Sequence, residues 1–236
     1  MLRYDYSQLR QKTNFASRAE VLEMATRLAL RIPGSFIEFG VASGDSTRVL
    51  SRLKGNRKCF ALDSFEGLPE KFEGAQVGTF AGKPPRIRGV EIVKGYFEQS
   101  LTPDFARRVG RVAFAHLDAD LYSSTLCALN WLTPLLDTGS ILLFDEFLGG
   151  EEAEKRAFDE WSQVSDVRTL TVAEVARDPS GFGTEVSDVR VIFQVIGTSR
   201  IQLLRKPTPI LSTAIRYLAT TKRRLVGMIP NTTKLL

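Results

Sequence analysis

Two apolar runs in this chain each finish on carboxylates: residues 111–117 lead into Asp118, Ala119 and Asp120, and residues 139–144 lead into Asp145 and Glu146. Similar apolar runs recur along the sequence, separated by polar stretches compatible with helix. Alternation of strand and helix predicts a parallel sheet. An open parallel sheet presents its ligand-binding groups where strands end, so acids closing two neighbouring strands converge on one crevice. Asp118, Asp120, Asp145 and Glu146 together make that crevice a place able to hold a divalent cation.

The rest of the chain can be read around these strands. Residues 17–31 carry Ala19, Val21, Leu22, Ala25, Leu28 and Leu30 at roughly helical spacing, and Pro33-Gly34 stops that helix. Strands are predicted over 35–39, 59–62, 90–93, 111–117 and 139–144, with helices over 45–53, 123–136 and 151–163. A late strand at 189–196 is placed to pair antiparallel with a neighbour, as an added hairpin. Residues 67–89 contain repeated Gly and Pro and exceed an ordinary connection in length, which favours a lid over the crevice. The expected fold is α/β, a Rossmann-like, doubly wound, mostly parallel sheet with helices on both faces. Its expected parts are a helical extension (1–33), a core (34–200) and a basic extension (201–236). With 236 residues, 43% hydrophobic and 25% charged, the chain can build one sizeable core.

The second informative segment runs from Phe36 to Thr47, where an apolar strand enters the small-residue turn Gly40-Val41-Ala42-Ser43-Gly44 and then a helix. Such a turn lets a ligand approach the backbone, and Asp45, Ser46 or Thr47 can cap the helix. Ala42 stands where a dinucleotide fingerprint has its middle glycine, and Glu38 lies inside the strand end; both weaken a nicotinamide reading. Asp63 closes the next strand at a spacing suited to accepting both ribose hydroxyls. Turn and acid together indicate an adenosine-type cofactor, with adenine dinucleotide and S-adenosylmethionine both open.

The order of Glu38 to Gly44, Leu62 to Pro69, Lys94 to Phe97, His116 to Thr125 and Phe144 to Phe147 resembles the macrocin O-methyltransferase family over roughly residues 34–160. The resemblance implies a class I methyltransferase fold with a seven-stranded sheet, S-adenosylmethionine as cofactor, magnesium, and O-methylation of a sugar or glycosylated natural product. By position it puts the methionine part of the cofactor near Glu38, Gly40 and Ser43. The ribose falls on Asp63 and the adenine beside Gly95, Tyr96 and Phe97. Val41, Ser46, Thr47, Ser64 and Asp118 complete the cofactor set, and Asp118, Asp145 and Glu146 form the metal set. Many relatives carry two aspartates where this chain has Asp145-Glu146, so a mechanism resting on a protein base alone stays open.

Catalytic candidates are Asp118, His116 and Asp120. His116 is the one histidine; as a general base its near-neutral pKa suits the task, while as a strand residue it reads as a hydrogen-bonded core group. Ser123 to Thr125 are expected to cap the helix they open, and Trp131 and Trp161 to lie in the core. Phe72, Phe80 and Arg86 of the long loop are placed to meet an acceptor.

Net charge is +5, and the extension holds Arg205, Lys206, Arg216, Lys222, Arg223, Arg224 and Lys234 with no acid. It reads as a solvated helix, or as a patch for an anionic partner or membrane surface with Ile215, Leu218, Leu225 and Met228 as an apolar stripe. Nucleic acid is disfavoured because basic and aromatic residues do not interleave. The competing classes are a noncatalytic cofactor- or partner-binding protein and a nicotinamide oxidoreductase. Cys59 and Cys127 make neither a disulfide framework nor a zinc cluster, and the start of the chain lacks the order of a signal peptide, so a soluble cytoplasmic protein is expected. Acceptor identity and a homo-oligomeric state are left open by these residues.

Overall fold

The computed structural model describes residues 17–148, 152–176 and 189–198, all within the unit Met1–Thr198. The basic extension and its apolar stripe lie outside the described residues. So does the start of the helical extension before Ser17.

Helix α1 (Arg18–Ala29) begins at a capping box: the Ser17 hydroxyl accepts from the Glu20 amide and the Glu20 carboxylate accepts from the Ser17 amide. Val21, Leu22, Ala25 and Ala29 make its buried stripe. Strand β1 (Ser35–Phe39) is wholly buried and leads through Gly40 to α2 (Asp45–Leu53). Here Gly44 is the N-cap and none of Asp45, Ser46 or Thr47 caps by its side chain, because Thr47 is drawn instead to the buried Glu38 carboxylate. Strands β2 (Cys59–Asp63) and β3 (Glu91–Lys94) flank the long loop.

Two short helices, α3 (Phe97–Ser100) and α4 (Pro103–Val109), follow where the sequence had suggested none. Thr102 caps α4 by accepting from Phe105 N at 3.1 Å, with Pro103 at the first helical position. Strand β4 (Val112–Leu117) precedes α5 (Tyr122–Leu132), which is shorter than anticipated because Thr133–Leu135, with Pro134 inside, tightens into a 3-10 turn. Its N-cap is Leu121, and Ser123 bonds Glu70 at 2.8 Å rather than the helix backbone, so the expected Ser–Thr cap does not form. Strand β5 (Leu136–Leu148) runs further at both ends than predicted. Helix α6 (Ala153–Val164), then β6 (Arg168–Ala176) and β7 (Val189–Gly197) complete the described elements. Strand β6 is absent from the sequence reading and forms the hairpin with β7.

The sheet has seven strands in the order β3-β2-β1-β4-β5-β7-β6. Pairings from β3 to β5 are parallel, and β7 is antiparallel to β5 and β6. The chain winds outward in one direction from β1 and in the other from β4, so the β1/β4 junction is the switch point where a ligand crevice opens. One core cluster contains Ile37, Phe39, Leu62, Leu117, Phe144 and Trp161; a second contains Val21, Leu22, Phe36, Leu50, Phe114 and Leu143, which brings in α1 and α2, and a small third joins Val41, Ala61 and Phe65. Phe158 of α6 stacks on Phe193 of β7 at 4.3 Å between ring centroids and packs edge-on to Phe144, joining α6 to the far half of the sheet. Trp161 is fully buried, with its indole N–H on Thr133 Oγ1 at 2.8 Å, and Trp131 stacks on Phe105. Trp161 is a core residue, as expected, whereas Trp131 is partly buried and packs against that core.

Candidate active site

A cavity of about 700 Å³ opens at the carboxyl ends of β1, β2, β4 and β5, with residues of β7 and α1 at its margin. That is a size able to hold a ligand of nucleoside dimensions with room beside it. Gly40, Val41 and Asp63 line one side, with Tyr96 and Phe97; Asp118, Asp120, Asp145 and Glu146 line the other.

The glycine turn is forced by close strand approach. Gly40 has φ +90°, and a Cβ there would lie 1.8 Å from the Asp118 carbonyl oxygen. Gly40 N donates to Leu62 O at 2.9 Å and Asp118 N to Phe39 O at 2.9 Å, so the ends of β1, β2 and β4 are laced together. Asp63 braces the same turn. Its Oδ2 accepts from Val41 N at 2.8 Å and Ala42 N at 2.9 Å, and its Oδ1 accepts from Phe65 N at 2.7 Å. A carboxylate offers about four acceptor positions, so Asp63 keeps capacity toward the cavity.

Behind the acids lies a row of charges across the sheet. Glu38 and His116 pair across β1 and β4, with His116 Nδ1 2.8 Å from Glu38 Oε1, and Thr47 donates to the other Glu38 oxygen. Glu38 and His116 are fully buried. His116 Nε2 lies 3.7 Å from Asp145 Oδ1. Arg190 of β7 donates to Asp145 through Nε at 2.8 Å and Nη2 at 3.4 Å. Arg18, from the first turn of α1, ion-pairs with Asp118 and sets its Nε 3.1 Å from Asp145 Oδ1. Burial opposes charge on His116, but the Asp145 and Glu38 carboxylates outweigh it and raise its pKa. Burial likewise opposes the Asp145 charge, yet His116, Arg18 and Arg190 hold its carboxyl below the usual range.

Asp120 sits in the cavity with φ +56°, a left-handed conformation that Asp tolerates better than most residues. Burial, reinforced by the Asp145 charge, pushes its pKa up to about 6. Glu154 of α6 is buried beneath β5 and accepts from Glu146 N at 3.1 Å. Burial and then the Asp145 charge lift its carboxyl well above the ordinary value.

Of the residues singled out in the sequence, Gly40, Val41, Asp63, Ser64, Tyr96, Phe97, Asp118, Asp120, Asp145 and Glu146 line the cavity. Glu38, Ser46, Thr47 and His116 are buried behind it; Ser43 faces outward onto Asp45, and Gly95 is outside the lining. In the long loop Leu68, Pro69 and Phe80 reach the cavity, whereas Phe72 and Arg86 do not. That loop is tied down by Leu68 N to Thr79 O at 2.8 Å and Gly82 N to Phe65 O at 3.1 Å. Arg18 and Arg190 were not anticipated. Arg190 had a signal, a cation inside the apolar run 189–196; Arg18, on the polar start of a helix, had none.

The expected magnesium set does not fit a divalent ion as arranged. Magnesium needs hard oxygens free to complete an octahedron, but both Asp145 oxygens and one of Asp118 are engaged by guanidinium groups. Among the described residues, no group of three or more His, Cys, Asp or Glu side chains forms a metal site.

A methyltransferase-domain family matches residues 37–147. The chain is 30% identical over 149 residues to the 8-demethyl-8-(2,3-dimethoxy-alpha-L-rhamnosyl)-tetracenomycin-C 4'-O-methyltransferase of Streptomyces olivaceus, a match covering 52% of this chain and 56% of that one. It therefore spans about half the length of the curated relative it matches. Among solved structures it is similar to the calicheamicin methyltransferase CalS11, with a TM-score of 0.57 at 20% identity over 75% of this chain and 77% of that one. It is similar also to the O-methyltransferase NovP, with a TM-score of 0.56 at 19% identity over 76% and 80%. At these identities the likeness is one of fold. Sheet order, a crevice at the β1/β4 reversal and the match over 37–147 agree: the chain has the class I methyltransferase fold, and its residues 37–147 are similar to a methyltransferase-domain family.

Proposed function

We propose that this chain is an S-adenosylmethionine-dependent O-methyltransferase acting on a hydroxyl of a sugar or glycosylated natural product. The carrying observation is one cavity with the Gly40 turn and Asp63 on one side and the acids Asp118 and Asp120 on the other. The relative from Streptomyces olivaceus, named for methylating a rhamnosyl group, supports the acceptor class.

The residues fit such a cofactor. The Gly40 turn leaves bare backbone where any side chain would collide, Asp63 retains acceptor capacity for ribose hydroxyls, and Tyr96 and Phe97 offer ring surface for a base. When bound, the cofactor supplies an electrophilic methyl group on a sulfonium. The protein's part is to place an acceptor oxygen in line with it and to take the hydroxyl proton. Asp120 is the base in this reading: it faces the cavity and is half-protonated near pH 6, so it is available as an acceptor at neutral pH. His116, sealed beneath and bonded to Glu38, faces Asp145 at 3.7 Å and adds to the charge that Arg18 and Arg190 place beside that carboxylate. Leu68 and Phe80 of the loop line the same cavity and offer it apolar surface beside an acceptor.

A small-molecule or glycan acceptor is the partner. The free thiols of Cys59 and Cys127 support a cytoplasmic setting, and among the described residues no helix is long and apolar enough to cross a membrane. Membrane or partner contact through the basic extension and self-association are left as secondary readings. The test is transfer of a labelled methyl from S-adenosylmethionine to a panel of rhamnosyl and related glycosides. Label on a sugar hydroxyl, lost in Asp120→Asn, supports the reading; label on none of the glycosides but on RNA or protein refutes the acceptor class.

A further inference from the structure

Two acids of the cavity, Asp118 and Asp145, are met by cations that belong to the chain. Arg190 is fixed: it is 5% exposed, sits within β7 and grips Asp145 with two nitrogens. Arg18 is different. Its side chain is 40% exposed, it comes from the first turn of α1, and it bridges Asp118 and Asp145 from above the crevice. A guanidinium stays charged at any accessible pH and carries five donors, so it satisfies carboxylates that otherwise attract an ion. Counting the groups in contact, Asp118 and Asp145 are answered by Arg18 and Arg190, and Glu38 by His116. A divalent ion arriving between Asp118 and Asp145 meets a positive charge already there.

We propose that Arg18 is the resident cation of this site, occupying the place between Asp118 and Asp145 that a divalent metal would take, so that the chain excludes such a metal. In this role Arg18 lines the cavity beside Asp120, where its positive charge favours the deprotonated form of an acceptor hydroxyl. The inference deepens the reading above only in naming the cation. It is tested without cofactor or acceptor, so its failure and the failure of methyl transfer are distinguishable.

The experiment titrates Mn²⁺ into the full chain, followed by electron paramagnetic resonance, for the wild type, Arg18→Ala, Arg18→Lys and Arg18→Ala combined with Asp118→Asn. Circular dichroism confirms the fold of each. Removing a unit charge in contact with the acids is expected to tighten Mn²⁺ binding by roughly tenfold or more in Arg18→Ala. The gain is expected to vanish in the double variant and to be largely absent in Arg18→Lys, which keeps the charge. Mn²⁺ bound by the wild type as tightly as by Arg18→Ala, and lost in the double variant, would overturn the proposal. So would a folded Arg18→Ala that binds Mn²⁺ no better than the wild type.

Discussion

Asp120 and His116 show how burial sorts two titratable groups that lie close together in sequence. Asp120 reaches the cavity, and its pKa of about 6 makes it a base at neutral pH and an acid below. The account therefore predicts that kcat/KM rises with pH through an inflection near 6 and levels above it. In Asp120→Asn the inflection disappears and kcat falls by about 10²–10⁴; a pH profile of both proteins checks this. His116 is a stability residue. Its folded pKa is raised, so its contribution is complete below the ordinary imidazole value and is lost as pH rises through the folded value. His116→Gln leaves Glu38 buried without this cation, which costs about 3–5 kcal/mol, while Asp145 keeps Arg18 and Arg190. Thermal unfolding against pH should show a lower Tm in the variant and, on the alkaline side, a shallower decline than in the wild type.

At the scale of elements, the strand–turn–helix from β1 to α2 is the part that tolerates least change. Gly40→Ala puts a methyl group into the Asp118 carbonyl at a backbone conformation that L residues rarely adopt. Either β1 and β4 separate at their ends or the turn refolds. The expected result is a loss of several kcal/mol in chemical denaturation, well above the ordinary cost of about 1 kcal/mol for a point change, together with loss of cofactor-analogue binding. This segment was legible in the sequence because its constraint is local: apolar strand, small-residue turn, helix. The first, second and fourth strands and α2 were placed within a residue or two for the same reason. Strand β6 was not, because Arg168–Ala176 follows a helix directly, and its exposed Leu170 and Val172 blur the alternation that marks a half-buried strand. The shortening of α5 at Thr133 was signalled by Pro134 but masked by the apolar residues continuing on either side. The acids were legible by type; their partners were not. Arg18 reaches Asp118 across a sequence separation of 100, and only the docking of α1 on the sheet brings them together.

Across the whole molecule, a row of paired charges lies under an open crevice, and Tyr96 and Phe97 line that crevice on the β2–β3 side. The sheet order brings Glu38, His116, Asp145 and Arg190 from β1, β4, β5 and β7 onto the α1-facing side of the sheet. Asp120 lies in the cavity above this row, largely buried, and Phe80 of the long loop lines the same cavity. The measurement that tests this account most directly is calorimetric titration of the full chain with S-adenosylhomocysteine, in the wild type and in Asp63→Ala. The account predicts saturable one-to-one binding by the wild type that is unaffected by a chelator and lost in a folded Asp63→Ala. A folded wild type that releases no binding heat, and leaves its Tm unchanged at saturating S-adenosylhomocysteine, would contradict it.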